Sequence, residues 1–425
     1  MRRQWQIPFR LFSGFVSSLL LPAAGWGDDL DYTQRVDSWW EGHRFHPSSS
    51  SRAEETPSPG PVLGVEEFGG DIQRAIDSLP PGGGTIHLPA GEYEGGFRVV
   101  GRSNVRLTGE SGTIIRGGEN HIIGSERNLD YGAFCEAVHR RDEEAMRIVR
   151  ELPTRHIVMR DLTFDDSPVR LASCRHVVFE GCRFQKPENR DVGDKDPDGK
   201  KVLRWYRPLS VTGIMGLREI WFLDCDFRGH HANAVYLDGA HFSGMVDCRF
   251  AGVESLWHNA IILFTNDDLS LDVNGNDRLE PFERRDTSYF VLDGCHFGPG
   301  YKRGALAVSG RDILVQNCRV EGPLNSFLVV NAKTSGKKIF YESFGVIVRR
   351  NMLDRVDAIV TAEGAANRPP AGVPDWWVWT KYEIGRFTIH DNHATGLVEA
   401  LREVPRDGQI LGPHRIERNG ADTNR

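Results

Sequence analysis

The chain has 425 residues, of which 39% are apolar and 26% charged, enough for one large elongated core or for two ordinary domains. Its formal net charge of -7 argues against nucleic acid as a partner. Any polyanionic substrate would have to be met by a local cationic patch.

Residues 1–25 read as a signal peptide. Arg2, Arg3 and Arg10 precede an apolar run from Leu11 to Leu21, and the small residues Ala23, Ala24 and Gly25 follow. The run is too short to span a bilayer, and no cysteine stands nearby for lipid attachment. The expected mature protein is secreted or periplasmic, has no membrane span and starts near Trp26, with a net charge of about -10 once the three arginines are gone. Residues 26–62 read as a flexible linker, because a serine run (Ser48 to Ser51) and Pro57, Pro59 and Pro61 leave little to bury. Trp39 and Trp40 interrupt it and are expected to pack back onto the end of the following domain.

Residues 63–400 carry the fold. Ile72, Ala75, Ile76 and Leu79 fall at helical spacing behind Asp71, which predicts an amphipathic helix with a carboxylate at its N-terminus. Gly82 to Gly84 and Pro89 to Gly91 mark the corners around a first strand. The block from Phe68 to Tyr93, followed by Val105 to Ile115, resembles the opening of the pectate-lyase-like superfamily. That resemblance implies an N-terminal helix plugging the end of a right-handed parallel β-helix. For activity it implies little, since the superfamily holds lyases, hydrolases, epimerases and non-catalytic proteins. Residues 118–155 break the pattern, and the interspersed apolar positions from Glu136 to Arg150 predict a short helical excursion.

Coils resume at Ile157 to Phe164 and Val177 to Phe184, then repeat through residues 209–320. Apolar strands ending in a polar pair and a cysteine run from Ile220 to Phe227, Met245 to Phe250, Phe290 to Phe297 and Ile313 to Val320. Cys225 to Cys248 and Cys295 to Cys318 are both 23 residues, a period in the solenoid range. Shorter strands precede them at Asn233 to Leu237, Asn259 to Leu263, Gly304 to Val308 and Ser326 to Val330. Such units bury their apolar faces only by stacking, so the predicted fold is all-β: a right-handed parallel β-helix with an N-terminal capping helix and long loop insertions, followed by a tail at 401–425. Cys182, Cys225, Cys248, Cys295 and Cys318 share one repeat position, with Leu162 before them and Asn351 and Asn392 after. Stacked coils place such side chains about 4.8 Å apart with parallel vectors, poor geometry for disulfides, so a buried thiol stack passing into hydrogen-bonded asparagines is expected.

Insertions are expected at about 185–207, 265–288, 331–344 and 361–385, where function usually lives. Within the second, Asp272, Asn274 and Asn276 take positions one, three and five of a twelve-residue loop, with Arg278 at seven, Leu279 at eight and Glu283 at twelve. That spacing of hard oxygen donors predicts Ca2+ binding. The loop resembles those of EF-hand and dockerin proteins, with Asp277 where they place glycine. The first insertion repeats only the front half, Asp194 to Gly199, and has Trp205 in place of the closing carboxylate.

The turns before the short strands carry His230 and His231, then Trp257 and His258, then Lys302 and Arg303, which stacking would line up on one ridge. His231, His258, Lys302 and Arg303 are the types a β-elimination on a uronate glycan needs: base, acid and cations for the carboxylate. A hydrolase would instead need two spaced carboxylates; Asp238 with Asp267 and Asp268 are the candidates, and Glu254 and Glu363 stand outside them. Trp257, Trp376, Trp377, Trp379 and Tyr382 are the aromatic candidates for stacking on sugar rings. The expected function is cleavage of an acidic polysaccharide by elimination, by a monomer holding structural calcium. A glycoside hydrolase and a non-catalytic glycan-binding protein are the alternatives.

Overall fold

A computed structural model describes residues 32–46, 60–185, 210–230, 233–252, 259–263, 287–301, 303–331, 343–363, 384–404, 410–411 and 414–422. Every strand pairing among them is parallel, each strand pairing with its counterpart one coil earlier and one coil later. The chain is a right-handed parallel β-helix with three sheets. The first holds the short strands, among them Val235–Leu237, Asn259–Leu263 and Gly304–Val308. The second holds Thr154–Arg160, Ala240–Val246, Thr287–Asp293 and Gly310–Gln316. The third holds Arg183–Gln185, Asp226–His230 and Arg249–Gly252.

The interior is built from columns. Phe164, Phe184, Phe227, Phe250 and Phe297 stack ring on ring with centroids 5.0, 4.8, 4.8 and 4.9 Å apart. Phe179 and Phe222 make a second stack at 5.0 Å. Beside them stand Leu162 and the cysteines Cys182, Cys225, Cys248, Cys295 and Cys318, all buried and unpaired as thiols. Each thiol donates to a main-chain carbonyl, as Cys225 does to Phe179 at 3.4 Å and Cys248 to Phe222 at 3.3 Å. The column ends in asparagines, which hydrogen-bond along it as the spacing predicts. The Cys318 amide donates to Asn351 Oδ1 (2.8 Å), Asn351 Nδ2 to Asn392 Oδ1 (2.8 Å), and Asn392 Nδ2 to Asn419 Oδ1 (2.9 Å). Asn351→Ala would orphan a buried amide and a buried carbonyl, and we expect a loss of about 2 kcal/mol, read as a lower urea midpoint with the slope unchanged.

The residue before each column member adopts a left-handed conformation. Asp224, Asp247, Asn317 and Asp391 have φ of 50°, 55°, 54° and 54°, and glycine takes the same place at Gly181 and Gly294 with φ of 62° and 68°. Short polar side chains and glycine tolerate that region best. At Gly294 space matters too, because an added Cβ would meet Asp247 Oδ1 at 2.3 Å.

The capping helix forms as its spacing requires. Helix α2 (Ile72–Ser78) is capped by Asp71, which accepts from the Arg74 amide, and it buries Ile72, Ala75 and Ile76 against the first coil. The excursion contains two helices, α3 (Tyr131–His139) and α4 (Glu143–Glu151). Their apolar faces (Phe134, Val138, Ala145, Met146 and Ile148) pack on Ile123, Ala172 and Ile214. Those three project outward from the first sheet, so the helices cover that sheet over its early coils.

Two boundaries move. The C-terminal tail expected at 401–425 forms a further coil where it is described: Glu399–Val404 pairs with 358–363, Arg415–Glu417 with 388–390 and Gly420–Asp422 with His393–Thr395. The linker expected at 26–62 contains helix α1 (Tyr32–Glu41), with Val36 and Trp40 buried. Helix α1 lies across the outer face of the second sheet rather than on the solenoid end, against Val178, Trp221, Val246, Val291, Leu314 and Ile347. Trp40 stacks on Trp221 at 5.8 Å and 10°, and its indole N–H donates to Asp293 at 2.8 Å. Arg349 holds Asp37 at 2.8 Å, Arg35 bonds Asp312, and Tyr32 bonds Thr388.

Candidate functional site

The strands of the first sheet alternate between core and exterior. Val235, Leu237, Ile261, Leu263, Leu306, Val308, Leu328 and Val330 join the core, which turns Tyr236, Ile262, Ala307, Val329, Thr361 and Arg402 outward in one register. Ala307 and Val329 are nonetheless buried. That face is therefore covered at these two positions, as α3 and α4 cover it over the early coils.

The insertions bracket this sheet. Strands ending at Leu263, Asn331 and Glu363 lead into the later three, and the first precedes residue 211, where the sheet resumes. Strand ends at the other edge stack in register. Asn259 pairs with Gly304 and Gly304 with Ser326, while Asn233 Nδ2 donates to the Asn259 carbonyl at 3.0 Å. Gly304 is needed there: an added Cβ would meet Asn259 Oδ1 at 2.7 Å and the Ser326 carbonyl at 2.8 Å.

Of the ridge expected from sequence, Arg303 and His230 are described: His230 ends a strand of the third sheet opposite Gly252, and Arg303 directly precedes the first-sheet strand Gly304–Val308. Its guanidinium donates to Glu363 Oε2 at 3.3 Å, with both side chains about one third exposed (38% and 30%). Ser326 and Thr361 hydroxyls bond each other beneath them, and Arg402 bonds Glu399 on the next coil. Thus a cation from one edge of the sheet is already bonded to a carboxylate from the other. Sequence reasoning placed Arg303 on the ridge but set Glu363 apart; the partnership depends on two elements 60 residues apart.

His231, His258, Lys302, Trp257, Asp267 and Asp268 lie outside the described residues, as do Trp376, Trp377, Trp379 and Tyr382, Glu254 and the whole calcium loop with Asp272, Asn274, Asn276, Arg278 and Glu283. Asp238 is described and buried, directly after Val235–Leu237, with its amide donating to the Gly213 carbonyl at 2.8 Å. It stands four coils from Glu363, roughly 19 Å at strand spacing, well beyond what a pair of hydrolytic carboxylates requires. Among the described residues no group of three histidine, cysteine or carboxylate side chains could hold a metal ion. No described helix is long and apolar enough to cross a membrane.

A polar depression lies at the turn between the second and third sheets, lined by Asp224, Asp247, Arg249, His296 and Arg319. It mixes both signs of charge, and His296 is tied to Glu321 at 3.1 Å.

No protein-family model and no curated protein matches the sequence. Solved structures resemble it at the level of fold. The A-module of the mannuronan C-5 epimerase AlgE6 of Azotobacter vinelandii aligns at 15% identity and TM-score 0.43, covering 84% of this chain and 98% of that one. The tailspike protein of E. coli bacteriophage HK620, solved with a pentasaccharide, aligns at 13% and 0.44 over 91% of this chain and 66% of the tailspike. A mannuronic acid specific polysaccharide family 6 lyase from human gut microbiota aligns at 10% and 0.37, with 81% of each chain covered.

Proposed function

We propose that this protein acts on an acidic polysaccharide bound beside the first sheet and cleaves it by β-elimination. The observation that carries this reading is the partly exposed Arg303–Glu363 pair, set beside strand ends that lead into the insertions. An elimination abstracts the proton α to the uronate carboxylate and expels the glycosidic oxygen at the β position, so negative charge grows on the carboxylate. Arg303 would exchange its Glu363 contact for that carboxylate and stabilise the enolate-like charge, with Lys302 beside it in sequence. His231 and His258 are the side chains assigned to take the proton and to protonate the departing oxygen.

Incubating the purified protein with uronate and neutral glycans tests the assignment. New ultraviolet absorbance from unsaturated ends is expected with a uronate polymer. New reducing ends without that absorbance would replace elimination with hydrolysis, and neither product would leave a binding protein.

Residues 272–283 are proposed as a structural Ca2+ loop on their donor spacing. The expected result is a melting temperature that rises with added Ca2+ in the wild type and does not in Asp272→Asn/Glu283→Gln. Equal melting with Ca2+ and with chelator would remove the metal from the account.

A further inference from the structure

Most arginines on this surface face a carboxylate: Arg98 faces Glu126, Arg116 Asp165, Arg127 Asp142, and Arg170 Glu119. One row does not follow that pattern. Where the first sheet turns into the second, Arg155 pairs in register with Arg175, and Arg175 with Arg218. Three guanidinium groups thus stand on three successive coils, at the strand spacing of about 4.8 Å. Arg155 and Arg218 are exposed and Arg175 half-buried.

Their partners are few. Arg155 reaches Ser103 Oγ at 3.3 Å. Arg218 lies 3.6 Å from Glu219, a carboxylate already bonded to His176. Arg175 Nε is buried without a hydrogen-bond partner among the described residues. Burial above all leaves the Arg175 guanidinium below its ordinary pKa, with the charges of Arg155 and Arg218 acting the same way and Glu219 opposing them. The neighbouring column adds the stacked rings of His156 and His176, 4.5 Å apart. Further along, the Arg218 guanidinium sits 5.2 Å over Phe242, and Phe242 stacks on Tyr289 at 5.0 Å and 7°.

We propose that Arg155, Arg175 and Arg218 form a binding strip for an anionic polysaccharide, separate from the Arg303–Glu363 site, that takes one carboxylate or sulfate group per coil. Coil spacing is comparable to the length of one pyranose residue, so a linear glycan can present acidic groups in step with the row. The row itself continues to His241 and Ser288, while Phe242 and Tyr289 lie one position over, in the column of His156 and His176, with Trp39 of α1 packed against both rings. A single row one side chain wide suits a polymer better than a membrane, which needs a broad plane of cations. In a protein of net charge -7, such a row would hold a polyanionic chain near the molecule whichever segment of it was being processed.

The test is calorimetric titration of the full chain with a uronate hexasaccharide, with a neutral glucan of equal length and with anionic phospholipid vesicles. The wild type is expected to bind the hexasaccharide, more weakly as salt rises. The variant Arg155→Gln/Arg175→Gln/Arg218→Gln should lose at least tenfold in affinity and most of the salt dependence. Arg155→Gln/Arg218→Gln, which changes exposed positions alone, should lose severalfold with an unchanged melting temperature. Equal binding of uronate by wild type and variants would overturn the proposal, as would equal binding of the neutral glucan. Binding of vesicles without binding of uronate would assign the row to a lipid surface and overturn it as well. This strip and the Arg303–Glu363 site stand independently: a protein that cleaves nothing yet loses uronate binding in the triple variant keeps the strip and refutes the lyase.

Discussion

Trp40→Ala is expected to destabilise the protein by about 3–5 kcal/mol, the range for deleting a buried tryptophan side chain. Trp40 is 1% exposed, stacks on Trp221, and satisfies Asp293 through its indole N–H. A ten-residue helix has little stability of its own in water, so α1 stays folded because it is docked. Losing the central anchor should release the whole of it and uncover Trp221, Val246, Val291, Leu314 and Ile347 on the outer face of the second sheet. Limited proteolysis between residues 32 and 46, together with a urea titration, reads both effects. A loss under about 1 kcal/mol, with α1 still protected, would show that this contact contributes little.

The same dock should weaken in acid. His43 stacks on Trp221 at 4.3 Å, and burial pushes its pKa down to about 4, with Arg44 and His46 acting in the same direction and Glu219 opposing them. The folded state therefore keeps His43 neutral while the unfolded chain titrates near 6.5. Between these values the unfolded state binds more protons, so stability falls as pH drops from about 6.5 to 4, by up to about 3 kcal/mol from this group. His156, also lowered to about 4 by burial and its cationic neighbours, adds to the fall with the same sign. His43→Gln should flatten the profile over that window, and an unchanged profile would refute the assignment.

Arg303→Ala should lower kcat for uronate elimination by about 10²–10³, the scale for removing one preorganised charge stabiliser. The fold should hardly notice, since a half-exposed ion pair contributes about 0–1 kcal/mol. Arg303→Lys restores the charge without the planar fork and is expected to recover part of the rate. Glu363→Gln frees the guanidinium and should change KM more than it changes folding. Turnover that is untouched in Arg303→Ala, with the melting temperature also untouched, would remove Arg303 from the chemistry.

The sequence made the coils readable because each position in the repeat answers a separate physical demand. Phenylalanine fills the stack, a small thiol fills the corner, and aspartate or glycine takes the left-handed turn. Helix α1 was missed because its apolar face is only Val36, Trp40 and their flanks, inside a segment whose later half is serine and proline. The signal lay elsewhere. Strands such as Ile220 to Leu223, Phe290 to Leu292 and Val346 to Val348 are apolar on both faces, which in a parallel sheet means that something covers the outside. Of the candidate site, the place of Arg303 directly before a first-sheet strand was legible from coil stacking. Its pairing with Glu363 was not, because no periodicity links the start of one strand to the end of another two coils on.

Helix α1 also sets an order of events. It is synthesised near the beginning of the chain, yet it bonds Thr388, 356 residues later, and Asp312, 277 residues later. Its seat runs from Val178 to Ile347, so docking begins on early rungs and is finished only on late ones. Until those late strands are in place, part of the oily flank that the helix shields stays open to solvent.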